Sequence, residues 1–198
     1  MGNIIVSEFM SLDGVVQAPG GPDEDRSGGF EHGGWSFQFE HGPEFEEFKL
    51  SEVAESDALL LGRKTYDIFA AYWPTADSND PMASKLNKIP KYVVSRSLED
   101  VEWNNSTLIE ESVPDEIPEL KREVDGDILV YGSAQLVHTL TEHDLIDEYR
   151  LMTFPIVLGS GKRLFGETND TTTLQLVDTK TIGEEIVILT YQPTERDT

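Results

Sequence analysis

The chain has 198 residues, enough for one well-cored α/β domain. Its 38 acidic against 15 basic residues leave a formal charge of −23, which makes nucleic acid a poor partner, because neutralising phosphates needs a basic face. The absence of cysteine excludes disulfides, thiolate metal sites and cysteine nucleophiles, and no run of 18 apolar residues offers a membrane span.

Ile4 to Leu12 reads as a strand that closes on Asp13-Gly14. No charged segment precedes it, so no signal peptide is expected and the cytoplasm is the expected compartment. Residues 17–43 form a long loop rich in glycine and acid, of the kind that often serves as a lid. Behind Pro43, the residues Phe45, Phe48, Val53 and Ala54 fall mostly at helical steps, which predicts a helix over 44–56. A short buried strand at 58–61 leads into a helix at 64–71, with Tyr66, Phe69 and Ala70 on one face. Residues 72–90 read mainly as loop, with one helical turn at 82–88. Next come strands at 91–95 and, more weakly, 107–110, then a polar helix at 114–123. A strand at 127–131 precedes a helix at 134–140 that turns Leu136, Val137 and Leu140 inward. A strand at 147–154 and a turn at 155–161 follow, and strands at 172–179 and 185–191 lie either side of Ile182-Gly183. Strands alternating with helices imply βαβ units and a mostly parallel sheet, while the last two strands read as an antiparallel hairpin. The expected α/β fold is therefore a single domain, 1–198, around a mixed sheet of about eight strands.

The acids are spread through these periodic segments instead of forming a tail. Self-repulsion at this charge is screened within about 3 Å at 1 M salt against about 10 Å at 0.1 M, which suits a halophilic cytoplasm. The plainer alternative is an ordinary acidic enzyme. Asn-x-Ser/Thr triplets at Asn104, Asn105 and Asn169 carry little weight without an export signal.

Two phosphate fingerprints are approached and missed. "LGSGKRLF" at 158–165 has Ile156 where a P-loop needs glycine and Arg163 where it needs a hydroxyl; for a dinucleotide fingerprint the third glycine would be Leu164. What remains is a glycine turn carrying Lys162 and Arg163, either structural or in contact with a substrate phosphate. "FEHG" occurs at 30–33 and again at 39–42, but a nine-residue spacing of His32 and His41 through a glycine-rich loop is a weak zinc signal, and no metal site is expected.

Three strand exits carry the chemistry. Gly62-Arg63-Lys64-Thr65 opens a helix with a close-approach glycine, two cations and a hydroxyl. Ser95-Arg96-Ser97 places a guanidinium between hydroxyls, which suits a phosphate monoester. Gly132-Ser133-Ala134-Gln135-Leu136 opens another helix, with Ser133 as a possible cap. A ligand with several separated phosphates would use all three, and a dinucleotide with a pyrophosphate and a 2′-phosphate fits: NADPH and not NADH.

In chain order, "FMSLDGVV" (9–16), "LLLGRKTYD" (59–67), "YVVSRSL" (92–98), "LVYGSAQLV" (129–137) and "DLIDEYRLMTFPIVLGSGKRLF" (144–165) resemble the dihydrofolate reductase-like superfamily. The nearest branch is the reductase domain of riboflavin-biosynthesis deaminase-reductases and their stand-alone relatives. The resemblance spans nearly the whole chain and implies a three-layer fold, a mixed eight-stranded sheet flanked by helices, with hydride transfer from NADPH. It places Gly62, Arg63, Lys64 and Thr65 on the cofactor's phosphates, Ser95, Arg96 and Ser97 on the 2′-phosphate, and Gly132 to Leu136 at the pyrophosphate and nicotinamide. Asp13 becomes the candidate catalytic carboxylate, a proton donor if burial raises its pKa, or else a turn residue before Gly14. Glu46, on the first helix, is a second candidate acid, unless it belongs to a solvated face. Ser133 and Ala134 stand where the superfamily commonly has a second glycine. The expected activity is reduction of a small heterocyclic or phosphoribosyl-type substrate, like that of 5-amino-6-(5-phosphoribosylamino)uracil reductase. The alternatives are a dihydrofolate or pterin reductase and a non-catalytic NADPH-binding regulatory module. Such relatives usually pair, so a homodimer is expected, with a small-molecule substrate and no membrane partner.

Overall fold

The computed structural model describes residues 1–166 and 171–194; Asn169 lies outside them. Eight strands form one sheet: β1 (Asn3–Ser11), β2 (Ser56–Gly62), β3 (Lys91–Val94), β4 (Ser106–Ile109), β5 (Asp127–Val130), β6 (Glu148–Phe154), β7 (Leu174–Ile182) and β8 (Ile186–Pro193), in the order β4-β3-β2-β5-β1-β6-β8-β7. From β4 to β6 every pairing is parallel. β8 then runs antiparallel to both β6 and β7. The mixed, mostly parallel sheet and the closing hairpin are therefore as the sequence predicts.

Among the described residues five α-helices cover the sheet: α1 (Pro43–Glu55), α2 (Arg63–Tyr72), α3 (Pro81–Lys88), α4 (Val113–Glu123) and α5 (Ala134–Glu142). Strand alternation divides the core. Leu60 and Val130 pack with Ile117 and Leu120 of α4 and with Val137 and Leu140 of α5. On the other face Leu59, Leu61 and Leu129 meet Val53 of α1, Tyr66 of α2 and Leu86 of α3. A third cluster joins Phe45 of α1, Trp35 and Phe30 of the long loop, and Met152, Phe154 and Ile188 of the sheet.

Several elements run longer than the sequence predicts, β2 most of all, at 56–62 against 58–61. The helical turn expected at 82–88 is α3, which starts one residue earlier and is begun by Asp80, whose carboxylate accepts from the Met82 and Ala83 N–H groups at 2.8 and 3.4 Å, with Pro81 in the first turn. At its far end the buried Lys91 ammonium donates to the Leu86 and Ile89 carbonyls, both at 2.8 Å, which satisfies acceptors that a helix end leaves open. The long loop is less open than its composition suggests. Short 3₁₀ turns at Ser27–Gly29 and Trp35–Gln38 interrupt it, and the buried Trp35 indole donates to the Gln17 carbonyl at 2.9 Å. Among the described residues no helix is long and apolar enough to cross a membrane.

Candidate active site

The carboxyl ends of β1, β2, β3 and β5 open into one cleft of about 830 Å³. Open parallel sheets bind ligands at this end of their strands. All three strand exits singled out in the sequence line it: Gly62 to Thr65, Ser95 to Ser97, and Gly132 to Leu136.

The β2 and β5 exits are locked together by their glycines. The Gly62 N–H donates to the Gly132 carbonyl at 3.0 Å, and a Cβ at Gly62 would run into Ser133, with the Ser133 backbone nitrogen only 2.9 Å away. Gly132 has φ +102, and a Cβ there would lie 3.0 Å from the Thr65 hydroxyl and 3.4 Å from Oε1 of Glu8. Its bare Cα thus lies between a hydroxyl and a carboxyl, a place where backbone and ligand can approach closely. The helices that follow, α2 and α5, both start without a side-chain cap, so their first N–H groups have no side-chain acceptor and their dipoles favour an anion. Ser133 does not cap α5 as the sequence suggests, because its hydroxyl is turned toward Gly62.

At the β3 exit the two serines have separate duties. Ser95 is buried, and its hydroxyl accepts from the Ser97 and Leu98 N–H groups at 3.2 and 3.1 Å, which fixes the turn. The Ser97 hydroxyl accepts from Arg63. Arg96 between them is exposed and makes no ion pair among the described residues, in a chain where acids far outnumber bases.

The rim is held by an acid from the long loop. Asp25 accepts from Lys64 at the start of α2 and, at 2.6 Å, from Lys162. Against the upward push of burial, hydrogen bonds from these two lysines hold its carboxyl far below the usual range. The segment carrying Lys162 is strapped to the β1 exit: the Val16 N–H donates to the Lys162 carbonyl at 2.9 Å, and the Lys162 N–H donates to Oε1 of Gln17 at 3.0 Å.

The floor holds an acid that the sequence reading passed over. Glu8 lies in β1, is only 8 % exposed, lines the cleft, and leaves Oε1 with no hydrogen-bond partner among the described residues. Burial pushes its carboxyl up to about 8, Lys49 lowers it and Glu24 of the long loop raises it further. Lys49 makes no hydrogen bond to Glu8; its ammonium donates to Glu52 at 2.6 Å and to Ser7 at 3.0 Å, over the Tyr131 ring at 4.1 Å.

The other predicted acids stand elsewhere. Asp13 does not line the cleft, and the raised pKa it would need as a proton donor is absent. Its oxygens accept from the Leu158 and Gly159 N–H groups at 3.0 and 2.8 Å and from the Ser11 hydroxyl at 2.7 Å. Those bonds, the Leu158 one foremost, hold its carboxyl at about 2. Glu46 is exposed on α1 and outside the cleft, because Phe45, Glu52 and Val53 take the buried positions of that helix. Arg163 also lies outside the cleft: its guanidinium donates to the Asp13 carbonyl at 2.9 Å and pairs with the Asp13 carboxylate at 3.5 Å. The two histidines of the repeated motif pack separately, His41 stacked on Phe45 at 4.2 Å and His32 edge-on to Phe30 at 5.6 Å.

Architecture and cleft define an α/β domain of the dihydrofolate reductase type. Residues 3–188 match the RibD C-terminal domain, and the chain belongs to that family. A relative, the uncharacterised protein YyaP of Bacillus subtilis strain 168, is 34% identical over 140 residues, covering 68% of this chain and 73% of that protein. Among solved structures, a Shewanella sp. PV-4 protein ascribed to riboflavin biosynthesis superposes with a TM-score of 0.76 at 21% identity, covering 98% of this chain and 99% of that one. Dihydrofolate reductase from Enterococcus faecalis, complexed with NADP(H), shares the fold at a TM-score of 0.59 and 14% identity, covering 98% and 97%. Family and fold together make this a RibD C-terminal-type domain on the dihydrofolate reductase fold.

Proposed function

We propose that the protein is an NADPH-dependent reductase of a small heterocyclic or phosphoribosyl-type substrate, akin to 5-amino-6-(5-phosphoribosylamino)uracil. The observation that carries this reading is the convergence of three donor-rich strand exits on one cleft, with Gly62 and Gly132 keeping its wall free of side chains. NADPH supplies a hydride when bound. Arg63, Lys64, Thr65 and the open N-terminus of α2 hold its phosphates, and Gly132, Ser133, Ala134, Gln135 and Leu136 form the wall along its pyrophosphate and nicotinamide. The free guanidinium of Arg96, with Ser95 and Ser97 shaping its turn, takes the 2′-phosphate. Lys162, paired with Asp25 at the rim, faces the same cleft and is the cation that would turn to a substrate phosphate.

The activity test follows the loss of the near-ultraviolet absorbance of NADPH against a panel of pyrimidine, phosphoribosylaminopyrimidine and pterin substrates. Turnover of a phosphoribosylaminopyrimidine, with slower or no turnover of dihydrofolate, is the expected result. Tight NADPH binding with no oxidation across the panel would instead make the protein a nucleotide-binding module.

A further inference from the structure

Glu8 is an expensive residue for a strand interior. β1 turns Ile4, Val6 and Glu8 to the same face, and both apolar members of that series are fully buried in the core beneath α4 and α5. A carboxyl in that series must be ionised and paired, or neutral and hydrogen-bonded, if it only serves packing. Here Oε1 has no partner among the described residues, and the ammonium that acts on it, Lys49 of α1, bonds to Glu52 and Ser7. The other charged group acting on it is Glu24, from the long loop that also lines the cleft, and a second acid there favours the neutral form. The unpaired oxygen lies beside the bare Cα of Gly132, across from the Thr65 hydroxyl, inside the cleft.

We infer that Glu8 is the proton donor of this cleft, delivering its carboxyl proton to the heteroatom of a C=N or C=O group. This rests on the reductase reading above. The balance is simple: the substrate carbon gains the hydride, the nitrogen or oxygen gains the Glu8 proton, and the π bond between them is lost. Glu8 is left as a carboxylate and recovers its proton from solvent through the cleft mouth. The cofactor is the reductant and the substrate is reduced by two electrons. A neutral acid ionising near the working pH is suited to such a step, which positioned general acids accelerate by about 10²–10⁴-fold. It also narrows the substrate class, because reduction of an unconjugated C=C bond has no heteroatom to receive the proton.

The test uses the full chain, wild type and Glu8→Gln, a nearly isosteric and neutral exchange that leaves no buried charge behind. Infrared spectroscopy at pH 7 reads the protonated-carboxyl stretch, titration calorimetry reads NADPH affinity, and single-turnover NADPH oxidation with the best panel substrate reads the chemistry. The inference predicts a protonated-carboxyl band that shifts when NADPH is added and is missing in Glu8→Gln. It also predicts NADPH affinity within about twofold of wild type in the variant, with hydride transfer slowed by about 10²–10⁴-fold. In wild type the rate should fall above pH 8, and that fall should be absent in Glu8→Gln. A band unmoved by NADPH, a band unchanged by the substitution, or unaltered turnover in Glu8→Gln would each overturn the donor role while leaving the reductase reading intact. Failure of the wild type to bind NADPH would remove the reductase reading itself and the donor role with it.

Discussion

At the rim of the cleft Asp25 meets two lysine ammonium groups and the Ser27 N–H, whereas at its floor Glu8 leaves one oxygen with no donor among the described residues. Both are carboxyls within one ligand-sized space, yet the first is held ionised and the second is pushed up to about 8. Both feel desolvation, so burial alone does not separate them. The number of donors does, because hydrogen bonds to the charged form outweigh a desolvation penalty that goes unopposed where they are missing. Asp13 makes the same point from outside the cleft, with two backbone N–H groups and a hydroxyl holding it at about 2. The cleft therefore carries an anionic brace at its mouth and a neutral acid at its base.

The largest effect that can break this contrast is the loss of hydride transfer in Glu8→Gln described above. Next comes stability. Between its ordinary 4.5 and about 8 the Glu8 carboxyl holds a proton in the folded state that the unfolded chain has released, so its contribution falls as pH rises through that window. The limiting slope is about 1.4 kcal/mol per pH unit. Glu8→Gln lacks this dependence, so denaturant titrations should find it more stable than wild type at pH 8, with the gap closing toward pH 5. A constant gap would mean that Glu8 does not titrate as its surroundings dictate.

A smaller effect is expected at the rim. Partly exposed ion pairs are worth about 0.2–1 kcal/mol, so Asp25→Asn, by freeing Lys64 and Lys162 for phosphate, should tighten NADPH binding about two- to fivefold at low salt. Weaker binding would show that Asp25 shapes the rim for the ligand and does not compete with it. The mildest expected effect concerns the whole molecule. At a charge of −23, molar KCl should raise the melting temperature above its value in 0.1 M salt, and a flat response would count against the halophilic reading.

Much of the fold was legible because its signals are local. Apolar runs end in Gly62 and two cations at the β2 exit, in serines around Arg96 at the β3 exit and in Gly132-Ser133 at the β5 exit, and those same residues line the cleft. α3 was legible at 82–88 although Pro74, Pro81 and Pro90 crowd that stretch, and Asp80-Pro81 is itself a helix-start signal. The acids were harder. Asp13 sits in an inviting turn, but the N–H groups that neutralise its chemistry lie some 145 residues away in sequence. Glu8 gave one faint signal, an acid in step with Ile4 and Val6 on the buried face of a strand. What gives it meaning is the approach of Gly132 from β5 and the commitment of Lys49 elsewhere, and both depend on tertiary structure.

The account's central claim is that the three strand exits form an NADPH site with Arg96 on the 2′-phosphate. Calorimetric titration of NADPH and NADH into wild type and Arg96→Ala tests it most directly. The account predicts that wild type prefers NADPH and that Arg96→Ala loses much of that preference, weakening NADPH by tenfold or more, on the order of 1.4 kcal/mol, while leaving NADH nearly unchanged. Equal losses for both cofactors, or no preference in wild type, would contradict it.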